Sequence, residues 1–229
     1  VYPVRNAQLE GTEDAWRYAF AFAIPCGTPG LRFLCRESFD LDRSNFDHPL
    51  GSRFEEMDAI IFMDDVFVPW ERVFLYRDVD LANNLSPRTH QYNHSGHQVV
   101  TKNVAKCEFV LGVAAMMVEI LGSETIGQVH ALLAELIENL EVMKALLCTS
   151  EIDAFLDEWG VMCPATIPIT VARNMFIRMY PRMVEIIQLL GSSSLMALPS
   201  EVDFNGPLGE DIEQYMDTDT ATARERVQL

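Results

Sequence analysis

Basic residues are scarce in this chain: 17 Lys and Arg stand against 34 Asp and Glu in 229 residues, a formal net charge of −17. Nucleic acids and anionic membrane surfaces are bound through basic faces, and no Lys/Arg cluster occurs in the sequence. The balance argues against both partners. Cysteine is sparse and scattered. Cys26, Cys35, Cys107, Cys148 and Cys163 are odd in number, include no C-x-x-C and show no zinc-type spacing. Such thiols suit a reducing compartment, where they serve as small apolar groups, so a soluble cytoplasmic protein is expected. Long apolar runs are missing as well. Residues 109–121 come nearest, but Gly112 and Glu119 interrupt them short of the roughly 18 residues that span a bilayer. No secretory signal, G-x-G-x-x-G or G-x-x-x-x-G-K-[S/T] is present, so a nucleotide, if bound, is held by other means. The chain opens on Val1 rather than Met, and a fragment that begins inside a domain is expected.

What is present divides by period. Residues 16–24 alternate large and small side chains in the manner of a strand. A Pro/Gly turn at 25–30 leads to a returning strand at 31–36, which predicts a hairpin. A loop at 40–51 leads to a strand over 54–68, broken at Asp64-Asp65 and closed by Pro69, with Trp70 packing the junction. Residues 79–95 read as irregular. Helices are predicted over 97–121 with a stop at Gly122, from Thr125 onward, and after 164–168 with a kink at Pro181 and a stop at Gly191. The clearest amphipathic stripe is Val129, Leu132, Leu133, Leu136, Ile137, Leu140, Met143, Leu146 and Leu147. The last thirty residues are acidic and read as extended, with one helical turn near 211–216. The predicted fold class is α+β: the end of a β-sheet, β-barrel-like middle domain at 1–78, then an antiparallel α-helical bundle at 79–200, then an acidic extended tail at 201–229.

Three groups of residues invite a chemical reading. Gln-Leu-Leu-Gly-Ser-Ser-Ser-Leu at 188–195 puts small residues and three hydroxyls after a helix, where phosphate oxygens can approach the backbone. The plainer reading is a helix end and loop. His90, His94 and His97 would share one face of a continuous helix, as metal ligands do, but Asn93 and Gly96 sit among them and no carboxylate is placed beside them. The expectation is therefore no metal, and a surface, flavin or subunit contact for the histidines. The pairs Glu55-Glu56 and Asp64-Asp65 point to opposite faces of a strand and make no acid/base dyad. No nucleophile elbow occurs.

The stretch Phe54-Glu-Glu-Met-Asp-Ala-Ile-Ile-Phe-Met-Asp-Asp-Val-Phe-Val-Pro-Trp-Glu-Arg-Val-Phe74 resembles the strand-to-helix junction of the flavin-dependent 4-hydroxyphenylacetate 3-monooxygenases, whose oxygenase component has an acyl-CoA dehydrogenase-like fold. Residues 20–37 resemble the hairpin before that junction, and 97–112 the opening helix of the family's carboxy-terminal domain. The resemblance implies a two-component ortho-hydroxylase of a phenolic substrate, taking FAD as FADH2 from a separate flavin reductase and working as a homo-oligomer, dimer or tetramer. It also implies that a Gln-x-x-Gly-Gly segment contacts FAD, often from a neighbouring subunit. Gln188 and Gly191 match that segment; Ser192 replaces its second Gly, and Ser193 and Ser194 follow. Gln98 and Lys102 become polar lining near the cofactor. The family's phenol-binding residues lie in an amino-terminal part without counterpart here, so no catalytic residue is assigned and an inactive piece with uncovered apolar surface is expected. Two alternatives stand beside this reading: a 4-hydroxybutyryl-CoA dehydratase-like enzyme of the same fold, and a non-catalytic helical oligomerisation module.

Overall fold

The computed structural model describes residues 14–38, 44–54 and 56–229. The expected chain start at Val1, the first part of the 40–51 loop and Glu55 lie outside the described residues. Two compact units are formed, one from residues 1–41 and 54–92 and one from 42–53 and 93–229.

In the first unit, strands β1 (Phe20–Phe22) and β4 (Val73–Tyr76) pair antiparallel, as do β2 (Leu31–Cys35) and β3 (Ala59–Met63). The hairpin expected between residues 16–24 and 31–36 is not formed. A tight hairpin turn needs two residues with compatible backbone angles, whereas two prolines in 25–30 impose a longer turn, and each strand finds a distant partner instead. The start of the expected 16–24 strand is a 3-10 turn at Ala15–Tyr18. The 54–68 strand is reduced to β3, which ends at the predicted Asp64-Asp65 break, where Asp65 adopts φ 50. Ala19, Ala21 and Leu75 are buried against Val79, Leu81 and Ala82. Trp70 is not the buried anchor expected: it stays 70% exposed and meets the Tyr76 ring edge-on at 5.0 Å. Residues 79–88, read as irregular, form helix α1 (Val79–Arg88). The Asp78 carboxylate caps it by accepting from the Leu81 N–H, a short-range signal that outweighs the Asn and Pro in its body.

The second unit is built on α2 (Gln91–Ile120), α3 (Gly127–Ile152) and α4 (Thr166–Gly191). α2 begins six residues before the expected start, directly after His90, whose φ of 48 ends α1. Ion pairs fix the register: His97 with Glu151 and Glu108 with Lys144 make α2 and α3 antiparallel, and Glu135 with Arg182, taken with the Ala165 N–H that donates to the Ser150 carbonyl, makes α3 and α4 antiparallel. α2 and α4 run parallel, since Asn93 meets Thr166 and Cys107 meets Met183. At Gly96 a Cβ would stand 2.5 Å from Ile169 Cγ2, so glycine is what lets these two helices close. The core is the predicted stripe: Leu136, Leu140 and Met143 from α3 meet Val100, Cys107, Val110 and Ala114 from α2 and Ile169, Ala172, Met183 and Ile186 from α4.

α4 is assigned unbroken through Pro181. Pro181 and Ile177, whose carbonyl loses its partner, are both exposed, so water can satisfy what the proline removes. Residues 166–204 are long and apolar enough to cross a membrane by length and composition, which inspection of single apolar runs did not show. The most buried positions of α4 nevertheless belong to the bundle core. The last segment is not extended. It holds α5 (Glu201–Phe204), α6 (Gly209–Met216) and α7 (Ala223–Gln228), buries Phe204 and Ala223, and packs Leu229 against the core. Ser200-x-x-Asp203 and Thr222-x-x-Glu225 close capping boxes at α5 and α7.

Between α3 and α4 the β5 (Phe155–Leu156) and β6 (Met162–Cys163) strands form a short antiparallel hairpin.

Two outcomes follow from the bundle. Leu136 has no exposed surface, and Leu136→Ala is expected to cost about 2–5 kcal/mol in chemical denaturation; a loss well under that range would remove it from the core. Glu135 accepts from Arg182 Nε and Nη2, both at 2.9 Å, and this guanidinium holds its carboxyl below the usual range. A carboxyl lowered by folding stabilises above its unfolded pKa of about 4.3 and loses that contribution as pH falls through the folded value. The pair is half-exposed and its contribution modest. Wild type and Glu135→Gln should therefore differ in denaturation midpoint at neutral pH and converge on acidification. Curves that stay parallel would contradict the pairing.

Candidate functional site

The carboxy-terminal end of α4 opens onto a cavity of about 500 Å3. Val113, Met117, Ile120 and Leu121 of the α2 end form one wall, and Val227 and Leu229 of the last segment another. Gly191, Ser193 and Ser194 line it, and Arg226 brings a guanidinium whose Nη1 also donates to the Met216 carbonyl. The chain turns sharply here. Gly191 is the last residue of α4 and keeps helical angles; Ser192, with φ 46, takes the strained position that was expected of Gly191. What requires glycine at 191 is space, because a Cβ would collide with the Leu195 side chain and lie 2.9 Å from Met117 Cε. The arrangement is an apolar slot with two hydroxyls and a cation at its rim, able to take a flat apolar ring beside an anionic group.

Of the residues singled out in the sequence, Gly191, Ser193 and Ser194 line this cavity. Gln188 and Ser192 are exposed beside it, and the Gln188 carbonyl accepts from the Ser192 N–H. Gln98 and Lys102 are not brought to it. They are exposed on the first half of α2, and Gln98 precedes Met117 by about 28 Å of helix at 1.5 Å per residue. Arg226 and Leu229 were missed because the last segment was read as extended; the Thr222-x-x-Glu225 box was the signal that a helix starts there.

A second constellation lies at the opposite end of the bundle. His90 is not on a continuous helix with the other two histidines. His94 and His97 line a cavity of about 350 Å3 with Glu151, Ala154, Met162 and Pro164. His97 Nε2 is 2.8 Å from Glu151 Oε1, and His94 Nε2 is 3.4 Å from the Sγ of buried Cys163. Cys163 Sγ also lies 3.9 Å from Asp157 Oδ2 and 3.6 Å from the Val161 carbonyl. Burial and then the Asp157 charge push the Cys163 thiol up. Cys163 is thus approached by His94 from α2 and by Asp157 from the β5–β6 turn.

Fold and cavity together define an α+β chain of the acyl-CoA dehydrogenase-like class. The family described as 4-hydroxyphenylacetate 3-hydroxylase, C terminal, matches residues 82–229, and its N-terminal counterpart matches residues 1–75. The chain belongs to the 4-hydroxyphenylacetate 3-hydroxylase family. It is 46% identical over 213 residues to the 4-hydroxyphenylacetate 3-monooxygenase oxygenase component of Thermus thermophilus, covering 93% of this chain and 44% of that protein. It is 45% identical to the Geobacillus sp. oxygenase component, covering 100% and 46%. The chain therefore spans about half the length of the curated relatives it matches. A crystal structure of an oxygenase component complexed with FAD and 4-hydroxyphenylacetate superposes with TM-score 0.90 at 44% identity, covering 100% of this chain and 47% of that one. An archaeal 4-hydroxybutyryl-CoA dehydratase shares the fold with TM-score 0.84 at 19% identity.

Gly191→Val should close the slot and disturb the α4 end, at a cost of about 1–3 kcal/mol in stability. Denaturation and fluorescence of a cavity-binding apolar dye report the two effects; a variant with unchanged stability and unchanged dye binding would contradict the crowding at Gly191.

Proposed function

We propose that this chain forms part of a two-component, FADH2-dependent aromatic hydroxylase that oxygenates a 4-hydroxyphenylacetate-type phenol ortho to its hydroxyl. The observation that carries the reading is the slot at the α4 end, lined by Gly191, Ser193, Ser194 and Arg226 in a chain of this family. At about 500 Å3 it accommodates one end of a dinucleotide rather than the whole. Ser193 and Ser194 would donate to phosphate oxygens, Arg226 would balance their charge, and Gly191 would let the backbone approach. Gln188 and Ser192 shape the same turn from outside. Bound FAD, reduced by a separate flavin reductase, supplies the oxygen-activating chemistry. The residues of this chain bind, orient and keep water from the apolar wall.

Gln98 and Lys102 fit the reading only as contacts to a second flavin end or to a flavin shared with another subunit. That favours a homo-oligomer, dimer or tetramer, since one chain holds the two sets far apart. The exposed apolar side chains Phe109, Met116, Ile177 and Leu189 on the bundle supply surface for such an assembly. The apolar β2–β3 ribbon agrees with residues 1–78 being part of a larger sheet domain. On this reading no catalytic residue is assigned within this chain, and substrate contact is assigned to other parts of the enzyme. A cytoplasmic setting accords with five free thiols.

The test uses the complete reading frame that carries this sequence, supplied with FADH2, oxygen and 4-hydroxyphenylacetate. A catechol product is expected, with FADH2 affinity lowered about ten-fold or more by Arg226→Met or by Ser193→Ala with Ser194→Ala. No catechol product, or wild-type flavin affinity in both variants, would refute the reaction or the site respectively.

A further inference from the structure

Residues 44–53 lie between β2 and β3 in sequence, yet they belong to the second unit and dock on its last segment. Their own turns brace them. The Ser44 carbonyl accepts from the His48 N–H at 3.0 Å, and Ser44 Oγ accepts from the Asp47 N–H at 3.3 Å. The His48 carbonyl accepts from the Ser52 N–H at 3.0 Å and from the Ser52 hydroxyl at 2.6 Å. Two of these residues reach the last segment. Asp47 Oδ1 accepts from the Glu201 N–H at 2.9 Å, across 154 positions of sequence. The capping box of α5 serves the N–H groups of Ser200 and Asp203 but not that of Glu201, so Asp47 completes the helix start from outside. Phe46 meets the ring of buried Phe204 edge-on, with centroids 5.3 Å apart.

Arg224 of α7 is seated on this pair. Its guanidinium carbon stands 4.8 Å from the Phe204 centroid and 6.0 Å from that of Phe46, while Nε lies 3.3 Å from Glu213 Oε1 on α6. α7 is six residues long, too short to hold its place by helical propensity, so its orientation comes from what its side chains touch. Positions 224 and 226 are about 200° apart around a helix of 3.6 residues per turn. With Arg224 turned to Phe46, Phe204 and Glu213, Arg226 is directed to the other side, where it lines the slot and donates to the Met216 carbonyl at the end of α6. The cation at the slot rim thus takes its direction from contacts on the far face of the same short helix.

We propose that Phe46 and Asp47 are positioning residues for the flavin slot. By holding Phe204 and the start of α5 they seat Arg224, and through it they set Arg226 against the phosphate oxygens of the bound flavin. This role rests on the slot being the flavin site. Neither Phe46 nor Asp47 lines the slot, so their effect on flavin passes through α7.

The experiment measures FADH2 affinity, without oxygen, in the product of the complete reading frame that carries this sequence. Phe46→Ala is expected to weaken binding about five-fold or more, the size of a coupling between groups in contact. Phe46→Tyr, which keeps the ring, should bind as wild type does. In an Arg226→Met background Phe46→Ala should change affinity no further, because the group it positions is gone. A loss of equal size with and without Arg226 is what loosened packing alone would give, and it would overturn the proposal. So would wild-type affinity in Phe46→Ala while Arg226→Met binds weakly. Arg226→Met binding as tightly as wild type is a different failure: it refutes the slot as the flavin site and takes this role with it. Should Phe46→Ala not fold, Asp47→Ala makes the same comparison, with Asp47→Asn as the variant that keeps the acceptor, and the same outcomes decide.

Discussion

The seating of α4 between α2 and α3 is the contact on which the second unit depends. Ile169, Ala172, Met183 and Ile186 have no exposed surface, and each lies in the cluster shared with α2 and α3. Burying the Ile and Met side chains contributes about 1.5–3 kcal/mol apiece, far more than the half-exposed ion pairs along the same helices. The ion pairs select register instead: Glu135 with Arg182 and Glu108 with Lys144 oppose any slip of α3 against its neighbours. Once α4 is seated, both of its ends are placed. One presents Gly191 and Ser194 to the apolar slot, and the other begins beside Asn93 and Cys163.

Helices were legible because a 3.6-residue apolar period persists over many turns. The Val129 to Leu147 stripe located α3 within two residues at its start, and Gly122 marked the end of α2. Strand pairing was not legible. The apolar pattern showed that residues 31–35 and 59–63 were extended, but pairing is a choice among distant partners that no local pattern encodes. The last segment failed for a different reason. Its acidity suggested chain in water, while the information lay in two capping boxes, Ser200 with Asp203 and Thr222 with Glu225, whose carboxylates receive backbone and hydroxyl donors and are held below the usual range as a result.

The candidate sites divide in the same way. Gly191, Ser193 and Ser194 are neighbours in sequence, so a run of small residues after a helix was enough to mark them. Arg226 is 32 or more positions further on, and only the return of the chain past the α2 end brings it to them. Cys163 and His94 are 69 residues apart. Sequence spacing finds neighbours on one helix or one loop and misses a contact assembled by the packing of a hairpin on a helix. The three histidines would share one face only on a continuous helix, and the left-handed backbone at His90 interrupts it.

The first unit shows what a local pattern says about surroundings. Strand β3 is Ala-Ile-Ile-Phe-Met, an unbroken apolar run rather than an alternating one, and that composition belongs to strands covered on both faces. Among the described residues it is open instead: Ile60 is 61% and Met63 42% exposed, and β2 opposes it with exposed Phe33 and Leu34. A two-stranded ribbon in water is marginal on its own. The bundle, by contrast, encloses its own core with residues of one chain. The two units therefore differ in kind: the bundle closes a core of its own, while the sequence of β2 and β3 is written for neighbours on either side. A site that depends on the bundle end can be built by this chain; one that depends on the sheet faces takes its shape from whatever covers them.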